Sequence, residues 1–420
     1  MVDSAESESR EPAPVRRTAG WMRWAKRLIA VLVVVGLLLA AKDAIERWRT
    51  EVAAVQIRVD ALDEKLLATN PSAFDQPSGQ KSVDTSSADR QSLVEERTRL
   101  LQSLPTWQNV SLGSIILAAI FYAVGLLPPA CVLHGALRGF HVPCSLMRAT
   151  AAQLLGHAGK YIPGKAMVVV LRVSAVVSTS NTASLPAVMG DTPSRQLLIG
   201  RASTCVFFET LLMMSVGGAL AGCLMWSTPL PQWVKWAASA MAVAACIPTL
   251  PPVMRRVIEL VSKRRARARS RSVESTGEST GAAPTADQST TSSTAAADVS
   301  SAITWPRLMS GWAWSLLSWC LIGLSFACVM KAIPAYNGLP VGHELLTVAT
   351  AAISLGMVLG FASLLPGGAG VREWVTLIVL GTVTDPTHAL LCVITARMLF
   401  IVVESILALV SHLYLRAISV

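Results

Sequence analysis

The sequence predicts an all-α, polytopic membrane protein of about seven to nine membrane segments, with re-entrant or broken helices at two Pro-Gly motifs. Three observations predict it. Of 420 residues, 52% are hydrophobic and only 15% are charged, against roughly 25% charged in a soluble domain. The charges gather in residues 1–27, 42–104 and 254–307, and the stretches between are long and apolar. Finally, Pro163-Gly164 and Pro366-Gly367 interrupt apolar sequence rather than linkers. This composition excludes an ordinary soluble enzyme. The net charge of +10 then has to be placed along a membrane chain.

Residues 1–20 read as a cytoplasmic tail and 21–42 as an N-terminal membrane anchor. Leu28–Ala41 is uncharged and covers only about 21 Å, so the span needs Trp21, Trp24, Lys26, Arg27 and Lys42 as interfacial and snorkelling flanks. A cleaved signal segment is the alternative reading. Residues 43–104 read as an extracytoplasmic, coiled-coil-like helical hairpin. Ile45, Trp48, Val52, Val55, Val59, Leu62 and Leu66 alternate at spacings of three and four, which gives one apolar seam that needs a partner. Leu93, Leu100, Leu101 and Leu104 offer a weaker second face. Homo-oligomerisation or an envelope partner through 43–104 is the alternative use of that seam.

Residues 105–253 form a first membrane half. Leu100–Leu137 lacks Asp, Glu, Lys and Arg, leaving a span near 110–135 bent at Pro128 and Pro129. Further spans are expected near 196–226, 233–253, 307–331, 345–365 and 387–415. The pieces 146–159, 164–180 and 371–384 are too short to span and read as half-helices. Residues 254–306 are a cytoplasmic linker, basic up to Arg271 and then Ser/Thr-rich: 15 of the 33 residues from Ser272 to Thr304 are Ser or Thr, a composition that cannot bury a core. Residues 307–420 form the second membrane half. Arg255, Arg256, Lys263, Arg264, Arg265, Arg267, Arg269 and Arg271 mark the linker as cytoplasmic by the positive-inside rule. Counting spans back from there also puts the N-terminus in the cytoplasm and 43–104 outside.

Polar chemistry enters the membrane at the two breaks. Lys160, Tyr161, Pro163, Gly164, Lys165 and Arg172 surround the first. Gly159 to Lys165 superficially fits a phosphate-binding loop, but Ala166 replaces the magnesium-binding hydroxyl and Pro163 removes an amide donor. A half-helix starting near Gly164 with three cations around it is instead suited to an anionic headgroup; a basic cytoplasmic loop is the plainer alternative. Pro366, Gly367, Gly368, Gly370, Arg372 and Glu373 repeat the pattern at the second break, and there a glycine packing surface is the alternative. The span after each break carries an Arg and a Glu, Arg201 with Glu209 and Arg397 with Glu404. Separations of eight and seven residues put each pair on one helix face but out of contact. Such intramembrane charges mark pathways or buried pairs. The recurrence suggests an internal repeat, parallel or inverted.

Eight cysteines read as small buried hydrophobes, and neither they nor the six histidines fall at metal-ligand spacing. No metal, cofactor or catalytic triad is expected.

KYIPGKA with Arg172, PGGAGVRE, and Arg397-Met398 resemble the hallmarks of the lysylphosphatidylglycerol synthase transmembrane-region family of flippase-like membrane proteins, over about residues 110–415. The resemblance implies a multi-pass protein of a bacterial inner membrane that moves lipid between leaflets. It also implies no aminoacyl transfer, since the chain stops at Val420 without the transferase domain. The expected function is binding and translocation of an anionic phospholipid or lipid-linked phosphate, without enzymatic activity. The partners expected are anionic membrane lipids and not nucleic acid. A non-catalytic scaffold for a cell-envelope enzyme is the alternative.

Overall fold

The computed structural model describes residues 52–67, 83–103, 109–160, 166–177, 195–256, 304–335, 338–363, 365, 368 and 370–418, with residues 42, 46, 49, 50 and 260 singly. Residues 21–41 of the anchor and, apart from residue 260, residues 257–303 of the linker therefore lie outside the described residues. All regular structure among the described residues is helical.

Helix α1, residues 52–67, and α2, Val83–Ser103, are clipped together by Arg97, whose Nε and Nη2 donate to Asp63 Oδ1 and Oδ2 at 2.5 and 3.3 Å. Val55, Val59 and Leu62 of the predicted seam are buried and Val52 and Leu66 half-buried. Ile45, Trp48 and Leu104 lie outside the described residues. Of the second face, Leu93 and Leu100 are half-buried, but Leu101 is exposed, because only one of two adjacent helical positions can face the seam.

In the membrane region, α3 (Leu112–Gly125) starts from Ser111, whose Oγ accepts from the Ser114 amide. It stops where Pro128 and Pro129 open α4 (Pro128–Gly139), giving the expected bend. Half-helices α5 (Leu146–Ala158) and α6 (Ala166–Val177) flank the first break. The long α7 (Arg195–Leu224) follows, then α8 (Gln232–Cys246). The second half holds α9 (Trp305–Ala332), α10 (His343–Ala362), the short α11 (Val371–Leu380) and α12 (Pro386–Ala417). Five helical stretches are long and apolar enough to cross a membrane: Leu112–Gly139, Leu197–Ser227, Trp305–Ala332, His343–Ala362 and Pro386–Ala417. The chain is thus a multi-pass helical membrane protein.

One expected span differs. The segment 233–253 is not a continuous crossing helix. Helix α8 ends at Cys246, and Pro248 turns the chain through a 3-10 turn, Ile247–Thr249, before a helical turn over 251–256. Still, α8 folds back along α7, with Ser215 Oγ donating to the Ala245 carbonyl at 2.5 Å. Cysteines also depart in part from expectation: Cys205, Cys328 and Cys392 are buried, whereas Cys223 and Cys320 are exposed. On membrane helices an exposed position meets lipid, where a thiol costs little, so burial is not required.

The helices pack as two interlocked sets. Helices α3–α4, α5, α6 and α7 have as counterparts α9, α10, α11 and α12, and the neighbour relations exchange between sets. Thus α5 packs on α6 as α10 does on α11, and α6 on α7 as α11 on α12. Across the sets, α5 packs on α12 and α10 on α7. The self-pairing element is antiparallel: the Ser111 amide donates to the Ala332 carbonyl at 2.9 Å, Ser325 Oγ to Ala118 and Ser318 Oγ to Gly125. A two-fold relation between antiparallel counterparts has its axis across the helices, the geometry of inverted repeats. Helix α7 runs parallel to α9, since Leu212 lies against Gly311 and Gly217 against Trp319, whose Nε1 donates to the Met213 carbonyl at 2.9 Å. Exposed Trp226, Trp233 and Trp236 gather beyond the end of α7 and exposed Trp305 at the start of α9. With the two helices in that register the tryptophan groups are about 35–40 Å apart along the axis, more than the roughly 30 Å hydrocarbon core and less than the full bilayer, where aromatic belts sit.

Candidate functional site

Two buried carboxylates organise the interior. Glu404, on α12, is 2% exposed. Its Oε1 accepts from Tyr122 Oη of α3 at 2.5 Å and from Lys160 Nζ, just beyond α5, at 3.0 Å. His157 Nδ1 lies 3.7 Å from the same oxygen. Glu209, on α7, is equally buried. Arg172 Nη1 of α6 donates to its Oε2 at 2.7 Å, Thr210 Oγ1 to the same oxygen at 3.2 Å, and Gln153 Nε2 of α5 to its Oε1 at 3.0 Å. Charge this deep survives only when paired and hydrogen-bonded. Both carboxylates satisfy that condition, and the cation of each pair, Lys160 or Arg172, flanks the first Pro-Gly motif.

Why α5 can serve both follows from its register. Gln153 and His157 are one helical turn apart and share a face, with Lys160 at the following turn. One short helix therefore connects Glu209 at one end to Glu404 at the other.

The second break is built differently. Gly368 and Gly370 adopt φ of +66° and +84°, values that glycine accepts without strain. A Cβ on Gly368 would stand 2.9 Å from the Gly360 Cα, so the returning chain passes backbone to backbone against α10. Gly370 then caps α11, its amide donating to Glu373 Oε2 at 2.6 Å. The other oxygen, Glu373 Oε1, meets Arg397 Nη1 of α12 at 3.4 Å. Arg372 lies 5.1 Å over the Phe400 ring, and that ring stacks at 3.7 Å on Tyr122.

The expected site residues thus meet a varied fate. Lys160, Arg172, Arg372, Glu373, Glu209, Arg397 and Glu404 come together around α5, α11 and α12. Tyr161, Pro163, Gly164, Lys165, Pro366 and Gly367 lie outside the described residues. Arg201 sits about 12 Å along α7 from Glu209, two helical turns away and out of reach, as its spacing implied. As the separations of eight and seven residues implied, the Arg and Glu of one helix are not direct partners, and the ion pairs run between helices, Arg172–Glu209, Lys160–Glu404 and Arg397–Glu373. Tyr122, Gln153, His157 and Phe400 were not singled out by sequence. The only hint was polar residues at helical spacing on an otherwise apolar half-helix.

Among the described residues, the cluster counts four cations, Lys160, Arg172, Arg372 and Arg397, against three carboxylates, Glu209, Glu373 and Glu404. It therefore holds one surplus positive charge. Arg372, half-buried, has no carboxylate partner in that count, and the Lys160 side chain is 31% exposed. No group of three His, Cys, Asp or Glu among the described residues is placed to hold a metal ion.

Fold and site together define a polytopic helical membrane protein with a buried ionic site shared by two inverted halves. The family described as the lysylphosphatidylglycerol synthase TM region matches residues 193–408, half of the chain, and the protein belongs to that family. The match contains PGGAGVRE and Arg397-Met398, while KYIPGKA falls before it. A comparison with curated proteins gives no match.

Proposed function

We propose that the protein binds an anionic phospholipid or lipid-linked phosphate headgroup between its halves and carries it from one leaflet to the other, without making or breaking a covalent bond. The observation that carries this reading is the meeting on α12 of residues that flank both Pro-Gly motifs. Lys160 arrives at Glu404, Arg372 arrives at Phe400, and among the described residues of the cluster one positive charge is left over. An isolated positive charge in a low-dielectric site attracts a phosphate strongly, and broken backbone at membrane depth is tolerated where it lines a cavity. The bacterial inner membrane, with the N-terminus and the Arg255–Arg256 end cytoplasmic, is the setting that fits this reading.

The test uses proteoliposomes containing fluorescent phosphatidylglycerol, with movement read by loss of outer-leaflet fluorescence to a membrane-impermeant reductant. The wild type is expected to expose the inner-leaflet probe. The combined Lys165→Ala, Arg372→Ala and Glu404→Gln variant is expected to leave it protected, and unchanged movement in that variant removes the pathway. The alternative, an accessory scaffold, draws support from exposed Ile57, Leu67 and Val94 on the hairpin. Deleting 43–104 separates the two, since a translocase keeps lipid movement and a scaffold loses its partner.

A further inference from the structure

Among the described residues of the cluster, His157 is buried with no hydrogen bond to either ring nitrogen, and its side chain is 9% exposed. Buried polar atoms in that condition are rare and call for an explanation. Its surroundings supply one. Gln153 Oε1, one turn back on α5, and Arg172 Nε, on α6, are also buried without partners. Acceptor, donor and imidazole thus line one polar strip between the two buried carboxylates.

The groups facing the ring are Glu404 from α12, Lys160 on its own segment and Arg172 from α6. Helix α4 packs on α5 through apolar Leu133 and Leu137 and carries two further ionisable groups, His134, whose Nδ1 is also buried without a hydrogen bond, and Arg138. Tyr122 of α3 donates to Glu404, Gln153 donates to Glu209 of α7, and Arg372 of α11 acts on Lys160. With two cations and one carboxylate around it, the imidazole balance turns on whether a second anion is present. A phosphate seated beside Lys160 and Arg372 favours the imidazolium, and its departure favours release.

We propose, resting on the lipid-translocation reading, that His157 is a proton-binding site coupled to the headgroup, so that the protein moves one proton together with each anionic phosphate. In the step, a hydronium ion at the exposed Lys160 side gives its proton to a ring nitrogen of His157 as the phosphate enters, an O–H bond breaking and an N–H bond forming. On the opposite side the imidazolium returns the proton to water as the phosphate leaves, the N–H bond breaking and an O–H bond re-forming. The surplus charge of the described cluster rises by one with the proton and is offset by the anion, so the lipid crosses as part of a compensated pair.

The experiment places a pH-sensitive dye inside proteoliposomes of phosphatidylcholine with labelled phosphatidylglycerol, the membrane potential being clamped with potassium and valinomycin. Acid outside is expected to speed inward movement of the labelled lipid several-fold and to acidify the lumen only when phosphatidylglycerol is present. The His157→Gln variant is expected to lose lumenal acidification and the response of its rate to the gradient. As a check independent of any variant, binding of short-chain phosphatidylglycerol to the wild-type protein in detergent is measured calorimetrically in buffers of different ionisation enthalpy. Proton uptake on binding is expected. Lipid movement that ignores the gradient, or binding without proton uptake, overturns the coupling alone. Absence of lipid movement at every pH overturns the translocation reading together with it.

Discussion

The two membrane halves solve one construction problem with opposite signs. In the first, the half-helix α6 supplies the cation and the long helix α7 the anion, as Arg172–Glu209. In the second, α11 supplies the anion and α12 the cation, as Glu373–Arg397. Each pair pins a half-helix to the long helix that follows it, so what recurs is the position of a charge pair rather than its polarity. Burial differs as well. The first pair is 6% and 3% exposed and the second 18% and 13%, and the second carboxylate doubles as a helix cap. The contacts across the halves are less alike still. Helix α5 brings Gln153, His157 and Lys160 to the buried carboxylates, whereas its counterpart α10 has Glu344 in its first turn as its only acidic or basic residue beyond His343. An inverted frame therefore carries a one-sided polar site, and the chemistry belongs to the α5–α12 side.

Removing one partner of the first pair breaks the comparison hardest. Arg172→Met leaves Glu209 with only two neutral donors, and an uncompensated buried charge costs about 3–5 kcal/mol. Unfolding in detergent should register that loss, and Arg172→Met with Glu209→Met together should recover most of it. A double variant as unstable as the single one contradicts the pairing. In the second half, Gly368→Ala forces a Cβ into the left-handed region and against the Gly360 backbone, at a cost of about 2 kcal/mol or more. Gly338→Ala, also at positive φ but with nothing within 4 Å, should cost less; equal losses remove the close approach as the cause. Glu373→Ala forfeits the cap and a less buried ion pair, and about 1–2 kcal/mol is expected. Smallest is Arg97→Ala in the hairpin. That pair is 39% and 41% exposed, so solvent screening holds the effect within about 1 kcal/mol, and added salt should shrink it further.

Legibility from sequence follows the range of the forces involved. The bend at Pro128–Pro129, the half-helices at 146–158, 166–177 and 371–380, and the long helices rest on local rules of hydropathy and proline geometry, and those elements fall where the residues imply. Segment 233–253 departs from a single helix because its hydropathy suits a span while Pro248 ends the helix early. The ion pairs could not be assigned from spacing: Lys160 and Glu404 lie 244 residues apart, and no single-helix argument joins them. Gln153 and His157 were visible only as polar residues on an apolar half-helix. Their importance depends on which carboxylates the opposing helices present.

The central claim is that one site shared by both halves holds an anionic headgroup. Native mass spectrometry of the detergent-solubilised protein in mixed phosphatidylglycerol and phosphatidylcholine tests it most directly. The wild type should retain phosphatidylglycerol over phosphatidylcholine, and Lys160→Ala with Arg372→Ala should abolish that preference. An undiminished preference in the folded double variant, or none in the wild type, contradicts the account.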